Sequence, residues 1–113
     1  MLESSHYFYV LYCQDGSLYA GYTNDLNKRL QTHNAGKGAK YTQPPSRRPV
    51  QLIYAESFTN KSLAMKQEYW FKQLNRMQKI SYLREQGQAS IEGSGFVMIN
   101  RHNEERLDDE DSK

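Results

Sequence analysis

The chain is poor in cysteine and proline and has no long apolar run. Cys13 is its single cysteine, so no internal disulfide bond can form, and its apolar neighbours predict a buried, unreactive thiol. The three prolines all lie between residues 44 and 49, which excludes a helix there. The lack of a long apolar stretch argues against a transmembrane helix, and the N-terminus lacks a secretory signal pattern. We therefore expect a cytoplasmic protein.

Charge is present but is divided unevenly along the chain. The formal net charge is +2, yet residues 1–86 carry 12 Lys and Arg against 6 Asp and Glu, whereas residues 87–113 carry 3 against 7. A basic body favours a polyanionic partner, although a merely solvated surface has the same composition. The 113 residues have room for one compact domain. We place it at residues 6–86, followed by a loosely ordered acidic tail at 87–113.

The hydrophobic pattern predicts a small α+β fold in the order β-β-α-β-α-α. Such an order corresponds to a three-stranded antiparallel sheet flanked by helices. Thr23 or Asn24 is the expected N-cap of the first helix, and Asn60 is that of the second. The predicted strands cover residues 7–13, 18–22 and 51–58, and the predicted helices about 25–35, 61–74 and 77–84.

Two further segments are apolar enough to be buried. On the second predicted helix, Leu63, Trp70 and Leu74 share a stripe with Phe71 beside it, so we expect both aromatic residues in the core. Within the predicted tail, residues 95–100 (GFVMIN) form a strand-like run. Two interpretations of that run stay open: addition to an edge of the sheet, or contact with a partner.

Five polar residues have the chemistry needed to cut a phosphodiester with one divalent metal ion. Arg29 and His33 lie four residues apart on one predicted helix and so share a face, and an arginine can hold a phosphate through two hydrogen bonds. Glu68 offers oxygen to a hard cation, and a single carboxylate indicates one metal ion rather than two. Tyr9 and Tyr19 supply phenols, whose usual pKa of about 10 a nearby cation would lower.

Two tyrosine triplets and a glycine-rich loop complete a family pattern. Tyr7-Phe8-Tyr9 and Tyr19-Ala20-Gly21 precede an arginine, a histidine and a helical glutamate, and residues 36–42 read Gly-Lys-Gly-Ala-Lys-Tyr-Thr. Over about residues 6–84 the chain thereby resembles the GIY-YIG nuclease superfamily. Its loop is similar to that of the small stand-alone bacterial branch, the YhbQ-like UPF0213 group. The first triplet lacks the usual glycine but keeps the terminal tyrosine.

The resemblance implies a nuclease that uses Mg²⁺, or alternatively Mn²⁺, to hydrolyse DNA and leave a 5′-phosphate, with DNA repair or recombination as its setting. By that resemblance Tyr19 is the first candidate for the base that activates water, and Tyr9 is the second. His33 would relay a proton or bind phosphate. Arg29 would neutralise charge on the phosphate, and Glu68 would hold the metal.

The resemblance also indicates which residues contact nucleic acid. Lys37 and Lys40 belong to the glycine-rich loop, whose backbone N–H groups suit phosphates, and Tyr41 of the same loop would stack or pack. Lys72 follows Glu68 by one helical turn, so it would bind either a phosphate or Glu68 itself.

The main alternative is a nucleic-acid-binding module with weak or lost catalytic activity. Such a module would retain the basic surface without productive metal chemistry. As a separate structural alternative, the two phenols could be ordinary core residues and the arginine part of a solvated helix face. A third interpretation has the acidic tail bind a basic partner or cover the protein's own cleft. Linear, branched and damaged DNA all stay open as substrates, as does RNA, and a homodimer or a protein partner stays open as the assembly.

Overall fold

A computed structural model describes residues 5–92 and 95–102 of the chain. The described part contains four strands and three helices, together with two short 3₁₀ turns between α1 and β3. The strands are β1 His6–Tyr12, β2 Leu18–Thr23, β3 Gln51–Phe58 and β4 Val97–Asn100, and the helices are α1 Leu26–Asn34, α2 Lys61–Lys72 and α3 Arg76–Glu85. No helix within the described residues is long and apolar enough to cross a membrane.

The sheet has four strands and mixed direction, in the order β2-β1-β3-β4. β1 is central and pairs antiparallel with both β2 and β3, as the apolar character of both its faces predicts. β4 pairs parallel with β3 and forms one edge of the sheet. The α+β class is therefore confirmed, whereas the predicted three-stranded antiparallel sheet is wrong in strand number and in the direction of the added strand.

The fourth strand comes from the strand-like run within the predicted tail, and it confirms the interpretation that this run adds to an edge of the sheet. Val97 and Ile99 alternate with more exposed neighbours and pack against the core, which explains how so short a strand joins the edge. Gln88 fixes the approach by donating from Nε2 to the carbonyl oxygens of Ile53, at 2.7 Å, and Gly95, at 3.0 Å. Residues 103–113, the acidic end of the predicted tail, lie outside the described residues.

Alternation along β1 divides the core into two layers. Phe8 and Val10 face α2 and α3, whereas Tyr9, Leu11 and Cys13 belong to a second cluster on the side of α1. Cys13 is fully buried, as the sequence predicted. β2 is an outer strand of the described sheet. Side chains of α1 on one face and of α2 on the other can therefore come together beside β2.

The helix caps agree with the sequence in one case and differ in another. Asn60 caps α2 by accepting from the backbone N–H of Ser62 at 2.7 Å, as predicted. The cap of α1 is Asp25, whose side chain accepts from Lys28 N–H at 3.1 Å, so the choice of Thr23 or Asn24 was wrong by one or two residues. The hydroxyl of Thr23 instead accepts from the N–H of Asp25.

The buried side of α2 differs from the predicted stripe. Ala64 and Phe71, seven residues or two turns apart, are buried, whereas Trp70 is 43% exposed. Successive helical residues are about 100° apart, so a stripe centred on Phe71 turns Trp70 toward the rim. There the indole packs edge-on against Tyr82 of α3 at 5.1 Å between ring centroids.

Candidate active site

The two strands of the first hairpin place two phenols on one face of the sheet. In the register of β1 and β2, Tyr9 lies opposite Gly21 and Leu11 lies opposite Tyr19, so the two tyrosines are diagonal neighbours. Their ring centroids are 6.5 Å apart. His33 of α1 completes the group, with its ring centroid 5.9 Å from that of Tyr9 and 5.5 Å from that of Tyr19.

A chain of hydrogen bonds runs from α1 through Tyr9 and back to α1. Arg29 donates from Nε to Tyr9 Oη at 3.4 Å, and Tyr9 Oη is 2.8 Å from His33 Nε2. Beyond the ring, His33 Nδ1 is 2.7 Å from Thr42 Oγ1. The spacing of four residues between Arg29 and His33 thus brings both side chains to the same phenol, as their shared helix face predicts.

Burial keeps both Tyr9 and His33 uncharged in the free protein. Burial raises the pKa of Tyr9 to about 12, against the opposing effect of the Arg29 hydrogen bond and charge. Burial, and secondarily the charge of Arg29, lower the pKa of His33 to about 4. At neutral pH the phenol therefore keeps its proton and the imidazole carries one proton only, so the two can share a neutral hydrogen bond.

Glu68 comes to the same region from α2. Its Oε2 accepts from Lys72 Nζ at 3.0 Å, and that ammonium group lies 5.3 Å from the ring centroid of Tyr19. The negative charge of Glu68 also contributes to the raised pKa of Tyr9, after burial and the nearer groups. The structure thus brings all five predicted catalytic residues together. Lys72 is ion-paired with Glu68 and lies over the ring of Tyr19.

The oxygen ligands available at this site suit a magnesium ion that is held by few protein groups. Within residues 5–92 and 95–102, no three His, Cys, Asp or Glu side chains converge into a cluster that could enclose a metal. Mg²⁺ commonly keeps several waters and takes one or two carboxylates plus substrate phosphate. A single half-buried glutamate, Glu68, meets that requirement, and Mn²⁺ accepts the same oxygen ligands.

The glycine-rich loop is only partly in contact with these residues. The Tyr41 ring stacks on Tyr19, with 5.9 Å between ring centroids and 19° between planes, and the guanidinium carbon of Arg47 lies 3.9 Å from its centroid. Tyr41 is therefore part of the wall of the site. Lys37 and Lys40 are exposed on the loop, where their contacts with nucleic acid stay predictions.

Three residues without a predicted role prove important for the geometry. A Cβ on Gly21 would lie 2.5 Å from Tyr9 Oη, and a Cβ on Gly38 would lie 2.6 Å from His33 Nδ1. Both glycines allow a ring to approach the backbone more closely than any side chain would permit. Thr42 is the third, and its hydroxyl contacts His33 from the loop side. The sequence signal was the family pattern itself, which contains all three residues.

Comparison with known proteins gives a consistent result. The family model described as the GIY-YIG catalytic domain matches residues 5–81. The UPF0213 protein of Bacillus velezensis is 64% identical over 85 residues, which are 75% of this chain and 84% of that protein. The UPF0213 protein YazA of Bacillus subtilis is 59% identical over 85 residues, again 75% of this chain and 84% of the relative.

A solved structure agrees with these sequence matches. The solution NMR structure of a protein from E. faecalis is 53% identical, covers 74% of this chain and 90% of its own, and superposes with a TM-score of 0.52. The chain therefore belongs to the GIY-YIG family and, within it, to the UPF0213 group. The GIY-YIG domain is the catalytic domain of a family of nucleases, whereas the names of these relatives assign no activity.

Proposed function

We propose that this protein is a metal-dependent endonuclease that hydrolyses phosphodiester bonds in DNA. The observation that carries the proposal is the hydrogen-bonded chain from Arg29 through Tyr9 to His33, with Glu68 on the neighbouring helix. It combines a fixed cation, a phenol with a proton acceptor behind it, and a carboxylate. Binding nucleic acid requires only a basic surface, so a proton acceptor behind the phenol favours a hydrolytic role.

Arg29 is the group that binds the scissile phosphate. Its guanidinium is always charged, and it is held at the phenol by the hydrogen bond from Nε, which leaves the two terminal nitrogens for phosphate oxygens. The charge also suits the extra negative charge of the transition state. A phosphate bound here offsets the positive charge that helps to lower the pKa of His33, so substrate binding makes the imidazole more basic.

Tyr9 is the phenol that activates the attacking water. We rank it ahead of Tyr19, the first candidate from the sequence, because Tyr9 is bonded to His33. It takes a proton from water while its own proton passes to His33 Nε2. The water oxygen forms a bond to phosphorus and the bond to the 3′ oxygen breaks. The departing oxygen takes a proton from solvent, which leaves a 5′-phosphate and a 3′-hydroxyl.

Glu68 would hold Mg²⁺ together with water and a substrate phosphate oxygen. The ion supplies positive charge that stabilises the developing negative charge on the phosphoryl group. Lys72 bonds Oε2, the carboxylate oxygen that the metal would also need, and its ammonium group lies beside the Tyr19 ring. The exposed lysines of the loop, Lys37 and Lys40, would contact phosphates away from the cut.

A cleavage assay with matched controls tests the proposal. Labelled linear and branched DNA and an RNA strand are incubated with Mg²⁺, Mn²⁺ or EDTA and with the wild type, Glu68→Gln or Arg29→Ala. Exposed residues of α3 provide the controls Glu85→Gln and Arg84→Ala. We expect metal-dependent cleavage that is lost in the first two variants and kept in the controls. Binding without cleavage, unchanged in Glu68→Gln, would support the binding module instead.

A further inference from the structure

Thr42 is buried between the ring of His33 and the backbone of its own loop. Its side chain is fully inaccessible to solvent, and its Oγ1 lies 2.7 Å from His33 Nδ1 and 3.1 Å from the carbonyl oxygen of Ala39. A hydroxyl has a single proton, so it can donate to only one of these two groups. Which group receives it depends on the hydrogen bonds at the far side of the imidazole.

The two ends of this hydrogen-bond chain fix its direction. At one end Arg29 can only donate, and it donates to Tyr9 Oη. At the other end the carbonyl of Ala39 can only accept. When Tyr9 donates to His33 Nε2, Nδ1–H donates to Thr42 and Thr42 donates to Ala39, each intermediate group donates one hydrogen bond and accepts one.

The opposite assignment leaves a buried proton without a partner. If Thr42 donated to Nδ1, the imidazole proton would sit on Nε2 and point at Tyr9 Oη. That oxygen would then accept from both His33 and Arg29, while the phenolic proton of Tyr9, a residue only 2% exposed, would need another acceptor. A buried polar group without a partner is destabilising, which favours the first direction.

We propose that Thr42 is a positioning residue that fixes His33 in the tautomer protonated on Nδ1, so that Nε2 is free to accept the proton of Tyr9. The close approach of the loop at Gly38, where a Cβ would meet Nδ1 at 2.6 Å, keeps the hydroxyl opposite that nitrogen. Thr42 touches no reacting atom and acts through His33. Its consequence for catalysis rests on the proposed nuclease function, whereas the tautomer does not.

The tautomer can be measured on the free protein. Long-range ¹H–¹⁵N correlation spectra of the full chain at pH 7 distinguish a protonated from an unprotonated ring nitrogen, and His33→Gln identifies the signals of His33 among the three histidines. We expect wild-type His33 to carry its proton on Nδ1. In Thr42→Val, which keeps the shape and removes the hydroxyl, we expect a shift of the proton toward Nε2, and Thr42→Ser should restore the wild-type pattern.

A neighbouring threonine provides the control. Thr32 precedes His33 on α1, and its hydroxyl donates to the carbonyl of Lys28 at 2.9 Å rather than to a ring. Thr32→Val therefore removes a hydroxyl from the helix that carries His33 and should leave the His33 signals unchanged.

In a cleavage assay, Thr42→Val should lower kcat roughly 10- to 100-fold with little change in KM, as losses of such supporting hydrogen bonds do. Thr42→Ser should recover most of the lost kcat.

The results separate the two proposals. A wild-type proton on Nε2, or an unchanged tautomer in folded Thr42→Val, would overturn the role of Thr42 even if the protein cuts DNA. If Thr42→Val does not fold, Thr42→Ala is the second variant without a hydroxyl. An Nδ1 proton that moves in Thr42→Val, in a protein that cuts no nucleic acid, would uphold the positioning role and refute the nuclease.

Discussion

Two glutamates with different surroundings show how the same side chain can contribute to stability in one place and to function in another. Glu56 on β3 is fully buried, and its carboxylate accepts from Tyr54 Oη at 2.5 Å, from the hydroxyl of Tyr82 and from the guanidinium of Arg101. Glu68 on α2 keeps 18% of its side chain exposed, and its Oε2 bonds Lys72. The first carboxylate is enclosed by donors, whereas the second faces the candidate site.

The tyrosines around the two sites all have raised pKa values, but their hydrogen-bond partners differ. Burial, followed by the hydrogen bond to Glu56, raises the pKa of Tyr82 to about 12, and burial, followed by the charge of Glu56, also raises the pKa of Tyr54. Burial also raises the pKa of Tyr9, but there Arg29 acts against the shift. Arg101 likewise acts against the shift of Tyr82, so the two sites differ in the carboxylate to which Tyr54 and Tyr82 donate directly, and not in the presence of a guanidinium.

Amide substitution should destabilise the fold much more at Glu56 than at Glu68. Glu56→Gln leaves the guanidinium of Arg101 without its carboxylate and offers an amide to two donating phenols, so it should lower the free energy of unfolding by about 3 kcal/mol. Glu68→Gln breaks a partly exposed pair and should cost less than about 1 kcal/mol. Urea denaturation measures both.

Cleavage should rank these two variants in reverse. Under conditions where both are folded, Glu68→Gln should lose about 100-fold or more of the activity through the lost metal site, while Glu56→Gln should stay close to the wild type. An equal loss of activity in folded Glu56→Gln would show that the two networks are coupled, and the contrast between an enclosed and an open carboxylate would then fail.

Acid should weaken the fold partly through the candidate site. His33 is neutral at pH 7 in both folded and unfolded chains, but its pKa is about 4 when folded and about 6.5 when unfolded. The unfolded chain therefore binds the proton first as the pH falls. Stability due to this group is lost between about pH 6.5 and pH 4, up to roughly 3 kcal/mol.

The contribution of His33 is isolated by comparing variants across that pH range. The free energy of unfolding of His33→Gln should fall less steeply between pH 7 and pH 4 than that of the wild type, and half-buried His6 supplies the control His6→Gln. Identical slopes for wild type and His33→Gln would mean that the imidazole does not resist protonation, and that the site is more open than its burial indicates.

Sequence reasoning succeeded where the signal was local. The span of β3, the cap at Asn60 and the shared helix face of Arg29 and His33 all depend on residues close in sequence, and the structure confirms each. Their convergence on Tyr9 needed the family pattern, because no spacing rule brings residues of two strands and two helices to one point. Whether they act as proposed stays a prediction.

The features that sequence reasoning failed to predict depend on contacts between residues that are distant in sequence or on how a helix is rotated. Nothing near Arg101 in sequence reveals that its ion-pair partner is Glu56, a buried carboxylate 45 residues earlier, so the sequence left open whether residues 95–100 join the sheet or contact a partner. The exposure of Trp70 depends on how α2 is rotated against the sheet, which Phe71 decides. The role of Thr42 could not be predicted for a similar reason, because its contact with His33 depends on how the intervening loop folds back.

Adding one methyl group at Gly21 tests whether the position of Tyr9 is fixed by close packing or can adjust. The Cβ would meet Tyr9 Oη at 2.5 Å, and the phenol is held by Arg29 and His33, so either the ring or the strand has to shift. Gly21→Ala should cost about 1–3 kcal/mol of stability and reduce cleavage. Gly95→Ala, whose Cβ would lie 3.8 Å from Gln88 Oε1, is the control. An active, fully stable Gly21→Ala would show that the Tyr9 position is adjustable.

The smallest expected effect concerns Lys72, which is the exposed counterpart of Arg101. Its pair with Glu68 is 43% and 18% exposed on the two side chains, so Lys72→Met should change the free energy of unfolding by less than about 1 kcal/mol. The ammonium group competes with a metal for Oε2, and removing it should lower the Mg²⁺ concentration for half-maximal cleavage by no more than about fivefold. If the lysine binds phosphate instead, the same variant should raise KM for DNA and leave the Mg²⁺ requirement unchanged. A titration of cleavage rate against Mg²⁺ at several DNA concentrations separates these two roles, because each changes a different constant.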